Sequence, residues 1–573
     1  MKTKTYLLSV IGFSMLFFSC SNSTNNRKVL ADYQKSVAYF DYFSYKGQDD
    51  FYAENPLNSE DEFYNPILPG WYSDPSICTN GEDYFLVTST FVNFPGVPIF
   101  HSKDLVNWKQ VGNVLNRESQ LVNMVGQYTS GGIFAPAISY NPYNQTYYMI
   151  TTNVGAGNFF VKTKDPFGSW SDPIWLPEVQ GIDPSFFFDD DGKAYIVNND
   201  APDGKPEYDG HRAIRIQQFD IETEKTFGSR KVLVDKGIHP EDKPIWIEGP
   251  HMYKINNQYF LMAAEGGTGT KHSEVILRSS SPMGPFIAWG KNPILTQRHL
   301  DPNRPNPITC AGHADLIQAQ EGDWWAVFLA CRPIDGKFEN LGRETFMLPV
   351  RWSDDGFPYI IQGDEVVSMI GRRKGVKRSN EVTFGNFSKF DDFDSTKLGL
   401  EWMTMRTSAS DLYSLTTEPG YLTFKCGPSA KTEDALSFVC RRVQHHKFEC
   451  TTQMYFDPSD NSEAAGLLLY KDETHQYFMA VQKTETGRKI LLKKIGSGET
   501  EVLAAKMIEN VTDPISLKVE SNGTNCSFYY LFGGSDWALL CSNIDAYYLS
   551  TANSFGFTGT TIGMYAEKKE MIN

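Results

Sequence analysis

The chain has 573 residues, with 69 acidic side chains against 53 basic ones and a formal net charge of −16. Aromatic residues at 14% and charged residues at 21% exclude a disordered chain. The acidic balance argues against nucleic acid and anionic membrane surfaces as partners and suits neutral or uronate-poor ligands.

Residues 1–20 read MKTKTYLLSVIGFSMLFFSC. Lys2 and Lys4 precede an apolar run from Tyr6 to Phe18, and Ser19 stands before Cys20. The segment resembles a bacterial lipoprotein signal cut before Cys20, whose thiol takes the lipid. It predicts export and attachment to the cell envelope, on the periplasmic face or the cell surface. No later apolar run approaches about 18 residues, so the anchor is the only membrane contact expected. The other cysteines show no CxxC spacing, which argues against a zinc knuckle or redox motif. Export permits disulfides, and buried free thiols are the alternative. Residues 21–64 are polar, with scattered Tyr and Phe but no clear period. They read as a tether followed by a strap on the first domain.

From Asn65 a loose repeat begins. Five segments share a polar-Pro or Gly-His opening, an apolar strand, a polar turn and an aromatic-rich strand. They open at Ser73 (SDPSICTNGEDYFLVTS), Phe134 (FAPAISYNPYNQTYYMITT), Ile182 (IDPSFFFDDDGKAYIVNN), Glu248 (EGPHMYKINNQYFLMAAE) and Ala311 (AGHADLIQAQEGDWWAVFLA). Gly- or Asn-bearing turns between the strands predict hairpins, and the spacing predicts a five-bladed β-propeller over residues 65–365. The innermost strands of a propeller start at one shared mouth. Asp74, Asp183 and Glu248, remote in sequence, are therefore expected to converge. Asp189, Asp190 and Asp191 read as a hairpin turn rather than a ligand cluster. Residues 366–388, which contain RRKGVKR, form the predicted linker. From residue 389 to 573, short alternating segments such as GYLTFKC and AAGLLLYKD predict an antiparallel β-sandwich. The fold class is all-β throughout.

These segments carry a resemblance to a known family. NPILPGWYSDPS (65–76), SGGIFAPAISY (130–140), DPSFFFDDDGKAYIVNN (183–199), EGPHMYKINNQYFLMAAEGGTG (248–269), AGHADL (311–316) and LGRET (341–345) stand in family order. DDFDSTKLGLEW (391–402) resembles the start of the family's concanavalin-like, jelly-roll C-terminal domain. The chain resembles glycoside hydrolase family 43, in particular its two-domain β-xylosidase and α-L-arabinofuranosidase members. The resemblance implies an exo-acting, inverting hydrolase that releases β-D-xylose or α-L-arabinofuranose from a plant oligosaccharide or polysaccharide of the xylan or arabinoxylan type.

By motif, Asp74 matches the general base, Glu248 the general acid and Asp183 the carboxylate that orients the acid and tunes its pKa. Arg343 matches an arginine that holds sugar hydroxyls. His313 matches a channel histidine that in some members orients water on a bound ion, so a calcium ion in the channel is an expectation. No cofactor is implied. Phe94 and Phe134 are placed to line the pocket, as is Phe557 from a sandwich loop (SFGFTGTTIGMY, 554–565). Phe134 and Ile182 stand where the xylosidases carry Trp and an aromatic residue, and Val92-Asn93 stand in place of Glu-Trp. These departures leave room for arabinofuranose or a branched substrate. An endo-arabinanase and a non-catalytic carbohydrate-binding lipoprotein are the alternatives. A five-bladed sucrose-cleaving enzyme is disfavoured because its WMNDPNG-type opening is absent.

Overall fold

The structure is a computed structural model that describes residues 30, 33–508, 513–533 and 536–569. Residues 1–29, with the signal segment and Cys20, lie outside the described residues. Five antiparallel sheets form the blades of a propeller. Their innermost strands are Ser76–Thr79, Ile133–Asn141, Ile182–Phe188, Glu248–Ile255 and Thr309–Gln318, in blades I to V. The chain closes the ring by laying an early segment on the outer strand of blade V. Leu68 and Thr345 exchange backbone hydrogen bonds of 3.3 and 3.2 Å. The buried amide of Asn65 donates to Met347 O at 2.9 Å and to Ser368 O at 3.0 Å.

One irregularity recurs in every blade. Asp74 (φ 53°), Ala135 (29°), Asp183 (52°), Gly249 (55°) and His313 (51°) hold equivalent positions, all in the left-handed region. In the first four a proline follows, and proline has no N–H to give to the neighbouring strand. In blades II to V the register breaks at this point, so that two inner residues face one outer residue. These are β-bulges, which bend a strand and re-aim its side chains. Left-handed non-glycine residues cost on the order of 1–3 kcal/mol each and persist where surrounding structure holds them.

The sandwich has an eight-stranded and a six-stranded sheet. Residues 37–47 differ from the expected strap on the first domain. Val37–Gly47 is an interior strand of the eight-stranded sheet, between Leu422–Lys425 and Lys447–Phe456. Its register shifts between Phe40 and Tyr42, so the buried set runs Ala38, Phe40 and then Phe43, Tyr45. That bulge changes the phase of the alternation and hides its period. Downstream the chain returns to the propeller. Glu62–Tyr64 pairs with Ile370–Arg372, and Tyr52 and Phe63 join one core with Met369, Val376 and Phe384. The predicted linker, 366–388, is thus packed against the propeller for much of its length. Asp189 to Lys193 form the expected turn, and the Asp189 carboxylate anchors blade IV by accepting from Tyr259 Oη at 2.7 Å.

Buried arginines tie the two halves together. The Arg442 guanidinium lies 4.1 Å from the ring centroids of both Trp71 and Tyr72. Arg332 makes a bidentate pair with Glu344, at 2.7 and 2.8 Å, and reaches Gln444 O of the sandwich. Arg406 of the sandwich donates to Gln127 O of the propeller at 2.8 Å. The eight cysteines from Cys78 to Cys541 are free thiols.

Candidate active site

At the mouth of the propeller channel a cavity of about 240 Å³ is lined by the bulge residues Asp74, Ala135, Asp183 and His313, together with Glu248 and Arg343. The three acids come from blades I, III and IV, so only the closed ring brings them together. All three are buried, at 5, 6 and 7% exposure.

Their environments push them apart. Asp74 Oδ2 accepts a 2.6 Å hydrogen bond from Ser89 Oγ. Its Oδ1 lies 3.2 Å from Arg343 Nη1 and 3.7 Å from His313 Nδ1. Burial alone would raise its pKa, but Arg343, His313 and the Ser89 hydrogen bond outweigh burial and hold it below the usual carboxylate range. Asp183 and Glu248 form a tightly coupled pair. Burial, then the charge of Asp74, lifts Asp183 to about 7. Burial, then the charge of Asp183, lifts Glu248 well above its ordinary value. Asp183 Oδ2 accepts the Gly249 N–H at 3.1 Å, which favours its ionised form and leaves the shared proton on Glu248. Burial lowers His313 to about 4, so its imidazole is neutral at ordinary pH.

Aromatic rings wall the cavity. Phe134 meets Phe91 edge-on at 5.7 Å and Phe557 at 5.5 Å, and Phe91 stacks on Phe557 at 6.0 Å. The Arg343 guanidinium lies 5.1 Å from the Phe557 ring. Phe557 arrives from the sandwich, its N–H held by Ser130 Oγ of the propeller at 2.8 Å. Ile182 also lines the cavity.

Phe94 does not line it. Asn93–Phe94 pairs with Thr404–Met405 of the sandwich, and Val92 O accepts the Arg406 N–H, so this stretch serves the domain interface. The ring that this stretch sends into the pocket is Phe91, three positions earlier and left-handed at φ 54°. Sequence reasoning also missed Trp246, Gly267 and Thr268. Trp246 carried a usable signal, standing two residues before Glu248.

His313 is not part of a direct metal cage. Among the described residues the only three such donors within 4.8 Å of one another are Cys310, Cys331 and Glu339. Around residues 312–314, however, His272 Nε2 and Glu274 Oε1 are buried without hydrogen-bond partners. Such a donor set fits an ion held through water rather than by direct ligation.

An ionised carboxylate and a protonated one, lining the same ring-walled pocket, are the two partners that acid–base cleavage of a glycosidic bond requires. Fold and site together define a glycoside hydrolase. Residues 63–358 match the model of glycosyl hydrolases family 43, and residues 390–572 match the beta xylosidase C-terminal concanavalin A-like domain. The chain belongs to glycosyl hydrolase family 43. It is 38% identical over 527 residues to a xylosidase/arabinosidase of Butyrivibrio fibrisolvens, covering 88% of this chain and 95% of that one. It is 35% identical to a non-reducing end alpha-L-arabinofuranosidase of Bacteroides ovatus, covering 89% and 92%. Among solved structures, a GH43_12 retrieved from capybara gut metagenome superposes with a TM-score of 0.86 at 43% identity, covering 92% of this chain and 99% of that one. Hydrolysis in this family needs no cofactor.

Proposed function

We propose that this enzyme is an exo-acting, inverting glycosidase that releases a terminal pentose, β-D-xylose or α-L-arabinofuranose, from xylan- or arabinoxylan-type polysaccharide. The observation that carries the reading is the wall that Phe557 of the sandwich adds to the propeller's pocket, stacked on Phe91 beside the acids, where it would favour a chain end over a through-running polymer. Ionised Asp74 serves as general base and draws a proton from water. Protonated Glu248 serves as general acid and gives its proton to the leaving oxygen. Asp183 keeps that proton on Glu248 by like-charge repulsion and fixes the acid's strand through the Gly249 N–H. Arg343 restrains Asp74 and offers donors to sugar hydroxyls.

The names of the relatives above support both pentoses. Phe134 and Ile182, in place of larger aromatic residues, favour the branched or furanose substrate. The opposed protonation states argue against a module that only binds glycans. A calcium ion held through water near His313 would supply a fixed positive charge under the pocket. Lipidation at Cys20 would hold the enzyme at the envelope, with the substrate outside.

Turnover of nitrophenyl β-xyloside against nitrophenyl α-L-arabinofuranoside, followed by sugar release from arabinoxylan, tests the reading. Monomeric pentose of inverted configuration is expected by NMR. Internal cleavage of arabinan, with oligomers as first products, would replace it with an endo-arabinanase.

A further inference from the structure

Of the rings described so far, Phe91 and Phe557 lie 6.0 and 5.1 Å from the guanidinium of Arg343, the partner of Asp74. Glu248 stands at the boundary between the departing group and the pentose, because a general acid must touch the glycosidic oxygen. The segment that leads into Glu248 supplies a further ring, two residues before the acid. Trp246 lines the same cavity together with Gly267 and Thr268.

Trp246 is held with unusual care. Its φ is 51°, a strained value for a bulky residue. Its N–H donates to Gly210 O at 2.8 Å, and Ile245 O accepts the Gly266 N–H at 2.9 Å. The segment is therefore pinned between a loop of blade III and a loop of blade IV. Gly210 is itself left-handed, and a Cβ there would come within 2.7 Å of Ile245, so the pinning requires glycine. The Arg212 guanidinium lies 4.3 Å from the Trp246 ring centroid. Many of the chain's buried arginines are spent on ion pairs or carbonyls. Among the described residues, no hydrogen bond or ion pair engages the Arg212 guanidinium, although its charge reaches Glu248. A rigid indole backed by an unspent cation, next to the acid, is a platform for the C–H face of a sugar, with donors left over for its hydroxyls.

We propose that Trp246 and Arg212 form the subsite for the leaving-group sugar, a pyranose of the polysaccharide from which the pentose is cut. The inference rests on the proposed pentosidase activity.

The test compares an oligosaccharide that carries a pyranose leaving group with the matching pentosyl fluoride, which has no leaving-group ring. Trp246→Ala is expected to lower the ratio of the two kcat/KM values about tenfold, the scale of one aromatic contact. Trp246→Phe should recover most of that loss, and the inhibition constant of free pentose should stay near the wild-type value. Arg212→Ala should lower the same ratio. It should also move the alkaline limb of the pH–rate profile upward, since a cation that favours ionised Glu248 is gone. Folding of each variant is checked by thermal unfolding. Equal losses on both substrates, or a raised inhibition constant for pentose in Trp246→Ala, would place Trp246 on the pentose side and overturn the proposal. Wild-type enzyme that turns over neither substrate would remove the pentosidase reading, and this inference with it.

Discussion

The inner strands of the propeller and the strands of the sandwich are built from the same alternating aliphatic and aromatic residues, but they differ in where that alternation is interrupted. In the sandwich the six-stranded sheet keeps its register through the stretches that face the core, where Leu467, Leu469, Met479, Val481, Ile490 and Leu492 pack together, and shifts only at Tyr470/Asp472 and Leu492/Lys493. In the propeller every blade carries a left-handed residue at an equivalent place, with a register break there in blades II to V, and these positions supply Asp74, Asp183 and His313. Regular pairing buries apolar area and stabilises. Interrupted pairing releases side chains toward a common axis and gives them work. The sandwich joins that work at one point, where Phe557 leaves its loop to complete the pocket wall.

Substitutions can break this division or sharpen it. The largest effect on turnover is expected at the two acid–base partners. Asp74→Ala and Glu248→Gln should each lower kcat by about 10²–10⁴-fold or more on substrates with poor leaving groups, measured in steady state. Near-normal turnover in either would separate the bulges from catalysis. Glu248→Gln should also raise thermal stability. A carboxyl whose folded pKa lies above its unfolded value weakens the fold as pH rises from the unfolded toward the folded pKa. The melting temperature of the variant should therefore exceed that of wild type by a margin that widens on going from acid to neutral pH.

Asp183→Asn should have the next largest effect. Burial remains, but the like charge that lifts Glu248 is lost, so Glu248 deprotonates earlier and the alkaline limb of the pH–rate profile moves to lower pH. A depressed rate with an unmoved profile would reduce Asp183 to a structural role. Phe557→Ala tests the sandwich's one contribution to the pocket. It should lower kcat/KM about tenfold, with no shift in the pH profile. The smallest change in activity is expected at Leu517→Ala, in the buried core of the sandwich. It should cost about 2–5 kcal/mol of stability by denaturant unfolding and leave the rate per folded molecule intact.

The acids that line the propeller's cavity were readable in the sequence because the left-handed positions are punctuated by proline or glycine, and those residues are visible without coordinates. Asp74, Asp183 and Glu248 were legible for that reason. Phe91 was not told from Phe94, since the two stand three residues apart in one stretch and only the pairing of Phe94 with Thr404 shows which ring turns away. Trp246 was legible only through its place two residues before Glu248, because the loops of two blades that hold it are remote in sequence. The strand at 37–47 was hidden by its own bulge. Disulfide pairing had no local signal, and the cysteines stand as separate thiols.

The strand at 37–47 has a further consequence for how the molecule comes to exist. It lies between two neighbours that occur nearly 400 residues later, so the sandwich is knitted from segments on both sides of the propeller in sequence. Contacts of such long sequence separation are slow to form, and the sheet can close only once the far end of the chain is available. Trimming the amino-terminal region to residue 47 would therefore remove an interior plank rather than an edge. It would part Leu422–Lys425 from Lys447–Phe456 and loosen, from the opposite terminus, the domain that delivers Phe557.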